Sequence, residues 1–344
     1  MDTFLGIDYP TWWYLVLGAV FTGYAILDGF DLGAGAWHLF FKKEESRRIA
    51  LNAVGPVWDG NEVWLVIGGG ALFAGFPVVY ASVFSAMYIP FMLFLACLIF
   101  RAVSIEFRSK EPMKWWRKLW DISYCVSSTM LAMLLGIVLG NVLQGMAIGP
   151  DKEFDGNWLG FINPYAIMVG ISTLALFMMH GAIYLIMKTE GRLFARMIVQ
   201  AKRAIIFFLV SFGITTIFTL IYFPHLSDRF KENPAFFIIP LIAFLSIANI
   251  PRLLTKRKYW YAFVFSSITV AMLLIIVAFE LYPTIIISTS DPANSLTIYN
   301  ASSSMKSLGI MLTIAAIGAP LVAIYTGFVF WTFKGKVKMD EMSY

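Results

Sequence analysis

Charged residues, histidine and cysteine are all scarce in this chain, and each scarcity excludes a class of protein. Only 14% of the residues are charged, whereas average soluble proteins carry about 25%. The three histidines, His38, His180 and His225, are scattered. They are too few to ligate several haems, and we expect no metal site. Cys97 and Cys125 both fall in apolar stretches and are interpreted as buried thiols.

Familiar catalytic signatures are missing as well. The sequence contains no Walker loop, nucleophile elbow or dinucleotide fingerprint, and no cysteine or histidine cluster with metal-ligand spacing. The first apolar run is not preceded by a basic residue, which argues against a cleavable signal peptide. Because these catalytic signatures are missing, we expect no catalytic residue in this chain.

The chain is rich in long hydrophobic runs. Hydrophobic residues make up 59% of it, and its mean hydropathy is +0.76. The apolar runs are too long for the strands of an outer-membrane barrel. We predict an all-α polytopic membrane protein, a single integral membrane domain over residues 1–344. Most runs reach the ~20 residues that a spanning helix needs. The nine predicted spans are 12–40, 54–74, 80–104, 121–147, 163–187, 203–223, 234–250, 259–283 and 307–333.

The basic residues predict the orientation. If the nine spans alternate, 22 of the 26 Lys and Arg residues fall on one side of the membrane. The other side holds Lys152, Arg229, Lys231 and Lys306. The positive-inside rule then places the C-terminus in the cytoplasm and the N-terminus outside. The net charge of +5 is explained by this topology, so we expect no nucleic-acid partner.

Two pairs of carboxylates interrupt the first two spans. Asp28 and Asp31 lie in GYAILDGFDLGAG, and Asp59 and Glu62 lie in GPVWDGNEVWLVIGGG. Each pair is three residues apart and so shares one helix face. The predicted topology gathers all four at the cytoplasmic third of the membrane, with Glu106 at its edge. Acids inside a span are costly and are a functional hypothesis by default. We expect this cluster to be a cytoplasmic proton entrance.

Other readings of the same residues stay open at this point. The acids could cap helices or pair with Arg101 and Arg108, which would make the chain a structural scaffold. A secondary transporter could use them to couple a substrate to protons, although its site would lie near the midplane between pseudo-symmetric halves. His180, in FMMHGAIYL, is interpreted as a hydrogen-bonded core histidine. The glycines of GFDLGAG and Gly68 to Gly70 are interpreted as sites of close helix packing.

Six segments together resemble a known family. GYAILDGFDLGAG, GPVWDGNEVWLVIGGGALFAGFP, FRAVSIEFRSK, GNVLQG, YAFVFSS and NSLTIYNASSS are similar to subunit II of the cytochrome bd-type quinol oxidases. The resemblance extends from the first span to the last outer loop. It implies nine helices arranged as two four-helix bundles plus one peripheral helix. It also implies residence in the bacterial cytoplasmic membrane.

The resemblance further implies a function and partners. The family oxidises quinol and reduces oxygen to water. Its two haems b and one haem d belong to subunit I, the expected heterodimer partner. Subunit II stabilises that partner and lines a proton route, whose family positions correspond to Asp28 and Asp59. Some members hold a structural quinone, here expected near Trp58, and a small third subunit and lipid are further candidate partners. The short segment HLSDRFKENP resembles the shorter members, which include cyanide-insensitive oxidases, but does not assign the subtype. We expect the largest loss of activity from replacing Asp59, and smaller losses from Asp31 and Glu62.

Overall fold

The computed structural model describes residues 3–157 and 159–339, and most of this part of the chain is helical. Its α-helices are α1 Tyr9–Ala36, α2 Glu44–Val54, α3 Trp58–Gly75, α4 Pro77–Ala86, α5 Tyr88–Phe107, α6 Lys114–Gln144, α7 Pro164–Lys188, α8 Gly191–Tyr222, α9 Asp228–Glu232, α10 Ile238–Thr255, α11 Tyr259–Leu281 and α12 Met305–Thr332. Short 3-10 helices follow at His38–Phe40, Pro224–Ser227, Pro234–Phe237 and Pro292–Asn294.

The strands found among the described residues form two small antiparallel pairs. β1 (Thr3–Phe4) pairs with β2 (Ile7–Asp8), and β3 (Thr284–Ile286) pairs with β4 (Leu296–Thr297). Asp8 then accepts the backbone N–H of Thr11 at 2.9 Å and so caps α1.

Eight helices of the described residues are long and apolar enough to cross a membrane. They are α1, α5, α6, α7, α8, α10, α11 and α12, of which α1 and α10 are extended by adjoining 3-10 turns. α3 and α4 pass the same test only as a pair, bent by 119°. Counting that pair as one broken span gives nine. The all-α membrane fold predicted from the sequence is confirmed, whereas the two-bundle arrangement and the orientation stay predictions.

The predicted third span, 80–104, needs correction. Residues 77–86 form α4, and the spanning helix begins only at Tyr88. The cause is Pro77, which starts α4 and disfavours helical geometry at the residue before it. Phe76 accordingly has φ −132° and ψ 67°, outside the helical region. Two other boundaries also differ, because α6 begins at Lys114 and α8 at Gly191, well before the predicted 121 and 203.

α1 packs against several of the other helices. It contacts α3, α6, α7, α11 and α12. The glycines of its DGFDLGAG segment permit a close approach to α7, since a Cβ at Gly33 would overlap the backbone of Phe177. A Cβ at Gly181 would overlap the backbone of Ala34 in return. This close helix contact confirms the interpretation of these glycines. Gly68 also packs, against Phe21, but a Cβ at Gly69 or Gly70 would meet no atom of this chain within 4 Å.

We expect Gly33→Ala to destabilise the protein by about 1–3 kcal/mol, because α1 and α7 must separate to admit the methyl group. Gly69→Ala is the matched control, since it adds the same methyl group to α3 at a position with free space. Thermal unfolding in detergent measures both variants. Equal melting temperatures for the two variants would contradict the close α1–α7 contact.

The polar loop after β4 covers the C-terminal end of α3. Ser303 donates its backbone N–H to the carbonyl of Gly75 at 2.9 Å and its hydroxyl to the carbonyl of Ala74. Lys152, from the loop between α6 and α7, donates to the carbonyl of Asn300 at 2.7 Å. Carbonyls at a helix end lack partners inside the helix. The loop therefore supplies donors where α3 ends and bends into α4.

Candidate functional site

The acids of α1 and α3 meet at a buried arginine from α5. Asp28, Asp31 and Arg101 are completely buried, and the Glu62 side chain is 18% exposed. Asp28 and Asp31 are three residues apart and face α3 and α5 together. Three consecutive membrane helices thus contribute to one polar cluster within the apolar interior.

Arg101 holds two of the acids. Its two terminal nitrogens donate to the two Asp28 carboxylate oxygens at 2.6 and 3.2 Å. One of them also lies 3.3 Å from Oε2 of Glu62. A forked arginine–carboxylate contact is among the strongest hydrogen-bonded pairs in proteins. The sequence analysis had offered Arg101 and Arg108 as alternative ion-pair partners for the acids. The structure makes it the centre of the cluster.

The carboxylate of Asp31 is hydrogen-bonded to an amide side chain rather than to a cationic one. Its Oδ2 accepts from Nδ2 of Asn61 at 2.7 Å, and Asn61 also donates to the carbonyl of Leu27 at 3.1 Å. Oδ1 of Asp31 is buried and has no hydrogen-bond partner in the part of the chain that is described. The sequence reading missed Asn61. The available signal was its place in WDGNE, as a polar residue between two acids of one span.

The charges of this cluster do not balance. Two carboxyl groups contact a single guanidinium, and a third, that of Asp31, lies one helical turn from Asp28, so full ionisation would bury a net negative charge. An uncompensated buried charge costs several kcal/mol. A bound proton removes one such charge, and the oxygen of Asp31 that lacks a partner is a suitable place for it. The arrangement is chemically able to accept and release protons.

Asp59, Glu106 and Trp58 lie around this cluster rather than in it. Asp59 is exposed in the first turn of α3, one helical turn before Glu62. Glu106 is half-buried near the end of α5. Trp58 is 9% exposed and packs with Leu51, Ile105 and Tyr124. The structure therefore brings together Asp28, Asp31 and Glu62, and leaves Asp59 at the surface of this chain.

A second buried cluster surrounds Asp121 on α6. Its Oδ1 accepts from Nε of Arg108 at 2.6 Å and contacts Nε2 of His38. Its Oδ2 accepts from Arg47 at 2.8 Å. Glu44 continues the network, accepting from Arg108 at 3.0 Å. These contacts tie together α2, α5, α6 and the segment after α1.

The sequence reading missed Asp121 because it treated residue 121 as the boundary of a span. The helix in fact continues seven residues further toward its N-terminus, which buries the carboxylate. Tyr124 follows one turn later, with its ring edge-on to His38 at 5.1 Å between centroids. Since Tyr124 also packs against Trp58, it lies between the Asp121 network and α3.

We expect Asp121→Asn to destabilise the protein by about 1.5–3 kcal/mol, the usual worth of hydrogen bonds to charged groups. The amide keeps the size of the side chain but leaves Arg47 and Arg108 without their shared anion. Glu111→Gln removes the same charge from an exposed loop position and is the control. If thermal unfolding shows no difference between these two variants, the network does not hold the helices together.

His180 and the remaining polar groups do not form a metal site. His180 is fully buried, contacts the Ser266 hydroxyl through Nδ1 at 2.7 Å and the Ile26 carbonyl through Nε2 at 3.0 Å, and stacks on Phe263. This confirms the interpretation of a hydrogen-bonded core histidine. Within residues 3–157 and 159–339, no group of three or more His, Cys, Asp or Glu side chains could hold a metal ion.

Comparison with solved structures supports the fold. The chain resembles "The structure of bd oxidase from Geobacillus thermodenitrificans", with a TM-score of 0.77 over 94% of this chain and 98% of that one. Sequence identity in that comparison is 18%, so the likeness concerns the fold alone.

Sequence comparisons add information on the family of the chain. The family model of cytochrome bd terminal oxidase subunit II matches residues 9–333. The chain is 31% identical to cytochrome bd-I ubiquinol oxidase subunit 2 of Escherichia coli, covering 96% of this chain and 95% of that protein. It is also 31% identical to cytochrome bd ubiquinol oxidase subunit 2 of Bacillus subtilis, covering 96% of this chain and 97% of the relative. This chain belongs to the family of cytochrome bd terminal oxidase subunit II.

Proposed function

We propose that this chain is the non-haem subunit of a quinol-oxidising, oxygen-reducing complex and that its buried acids carry protons toward the partner subunit. Family membership supports the oxidase assignment, and relatives are named ubiquinol oxidase subunits. The observation that carries the proton route is the cluster of Asp28, Asp31 and Glu62 around Arg101. Oxygen reduction to water consumes protons, and a chain of carboxylates inside the membrane is a usual way to deliver them.

The route begins at the surface of this chain. Asp59 is exposed at the start of α3 and lies two and three residues before Asn61 and Glu62, which belong to the cluster. Glu62, which is partly exposed, then contacts Arg101, and Arg101 contacts Asp28. In this proposal Asp59 and Glu106 collect protons from the cytoplasm, Glu62 passes them inward, and the Asp28–Asp31 pair delivers them. The basic bias of the loops supports the cytoplasmic side.

The haems belong to the partner in this proposal. Two haems b and one haem d need several axial ligands. His180 uses both ring nitrogens in contacts with Ser266 and Ile26, and His38 is engaged by Asp121. The contacts of these two side chains support the placement of the haems in the partner. The structural quinone expected near Trp58, a small third subunit and bound lipid also belong to the proposed complex in a bacterial cytoplasmic membrane.

A transporter is the weaker reading, although one observation resembles it. The break between α3 and α4, bent by 119°, is the kind of interruption that transporters place at a substrate site. Here the break follows Phe76, a full helix length away from Asp59 and Glu62. Ser303 also donates hydrogen bonds to the backbone carbonyls at the end of α3, where the break occurs. The acids and the break therefore do not form one site.

The decisive experiment is purification of the tagged chain after expression with its genomic neighbours. We expect a haem-bearing partner to co-purify, and the reduced-minus-oxidised spectrum to show b-type and d-type bands. Oxygen consumption on addition of quinol completes the assignment. A colourless chain without partners, obtained from membranes that express all the neighbours, would contradict it.

A further inference from the structure

A small basic cavity lies at the end of the helix bundle where α1 finishes and α8 begins. It has a volume of about 50 Å³ and is lined by Lys42, Lys43, Ser46, Arg192 and Arg196. A water molecule needs only about 10–15 Å³ of such space, so the cavity admits a group of several atoms. Its lining contains four cationic side chains and one hydroxyl, without a carboxylate.

The four cations have no ion-pair partner among the residues that the structure describes. Three acids lie near these cations in sequence. Glu44 binds Arg108 at 3.0 Å and Arg117 at 3.5 Å, and Glu45 and Glu190 are exposed outside the cavity lining. By contrast, Arg47 and the buried Arg108 are paired with acids. Like charges brought into one cavity repel each other. An anion bound between them would relieve this repulsion.

Two helix N-termini lie beside the cavity. α2 starts directly after Lys43 and α8 directly after Glu190, and neither N-cap side chain bonds to its helix. The first N–H groups of a helix have no partner inside it. They carry partial positive charge and are a frequent binding site for phosphate. Arg192 and Arg196 are four residues apart and therefore project from the same face of α8.

We propose that this cavity binds a phosphate group, namely that of an anionic phospholipid headgroup. The location favours a lipid, because the cavity lies at the ends of spanning helices, where headgroups of the bilayer are found. Basic pockets between membrane helices are a known type of headgroup site. Free inorganic phosphate shares the same chemistry, and the experiment below distinguishes the two sources.

The test uses the full chain, purified with the subunits that accompany it and stripped of lipid in a neutral detergent. Phosphatidylglycerol is titrated in, and the bound lipid is counted by native mass spectrometry. Each cation near a membrane surface changes affinity by about 5-fold. We therefore expect the double variant Lys43→Gln with Arg196→Gln to bind phosphatidylglycerol about 25-fold more weakly. Arg192→Gln alone should weaken binding about 5-fold, which serves as the test if the double variant fails to assemble.

The matched control is Lys202→Gln with Arg203→Gln, which removes two exposed charges from the same helix outside the cavity. The control should bind phosphatidylglycerol like the unmodified protein. Phosphatidylcholine should not distinguish the variants. Displacement of phosphatidylglycerol by inorganic phosphate would support a phosphate site. If the protein binds inorganic phosphate but does not bind phosphatidylglycerol, the site belongs to the free anion and the lipid proposal is wrong. Equal loss in the control and the cavity variant, or no loss in either, would overturn the proposal.

Discussion

Replacing Arg101 with methionine is expected to destabilise the protein by about 3–5 kcal/mol, the usual cost of removing one partner from a buried ion pair. Methionine keeps an unbranched apolar stem but removes the forked contact to Asp28 and the contact to Glu62. Asp28 and Asp31 are completely buried, so they cannot recover the lost interaction from solvent. Thermal unfolding in detergent, followed by tryptophan fluorescence, measures the change.

The double variant Asp28→Asn with Arg101→Met separates charge from packing. It removes both members of the tightest pair, so it should recover a large part of the loss. Arg203→Met is the control, because Arg203 is exposed on α8 and its replacement should leave the melting temperature unchanged. If Arg101→Met and Arg203→Met unfold at the same temperature, the buried ion pair does not stabilise the bundle.

Replacing single carboxyl groups of the proposed route is expected to reduce turnover rather than stability. Asp59→Asn keeps the size of an exposed side chain but removes the group that exchanges protons with water. Loss of a proton-transferring group costs about 100-fold or more in many enzymes, and we expect at least a 10-fold fall in oxygen consumption with excess quinol. Haem content, read from the absorption spectrum, should stay normal.

Asp31→Asn tests the inner part of the route. Asparagine still accepts a hydrogen bond from Asn61, and Oδ1 of Asp31 has no partner to lose within the described residues. The variant should therefore assemble with its haems yet turn over at least 10-fold more slowly. The structure gives Asp31 a larger part in the proposal than the sequence did, because it is the buried acid without a cationic partner.

Asp155→Asn is the control for both variants, since Asp155 is an exposed acid in the loop between α6 and α7. Normal oxygen consumption in Asp59→Asn and Asp31→Asn would remove both from the proton route. Loss of haem in either variant would instead assign that residue to assembly.

The sequence by itself determined the class of protein, an all-α membrane protein. Hydrophobic length is a local property of the chain, and every backbone polar group in the membrane must be satisfied within its own helix. The spacing of Asp28 and Asp31 is also a local property, and helical periodicity placed them on one face. The motifs GYAILDGFDLGAG and GPVWDGNEVWLVIGGG were specific enough to identify the family, which the comparisons confirmed.

Only the tertiary structure decided which polar groups meet. Arg101 pairs with Asp28 across 73 positions, and His38 contacts Asp121 across 83. Asn61 joins the cluster, whereas Asp59, two residues earlier, stays at the surface. Contacts over such separations depend on how helices rotate and approach one another, as at Gly33 and Gly181. Helical periodicity relates residues within one helix only, so it leaves the pairing between helices undetermined.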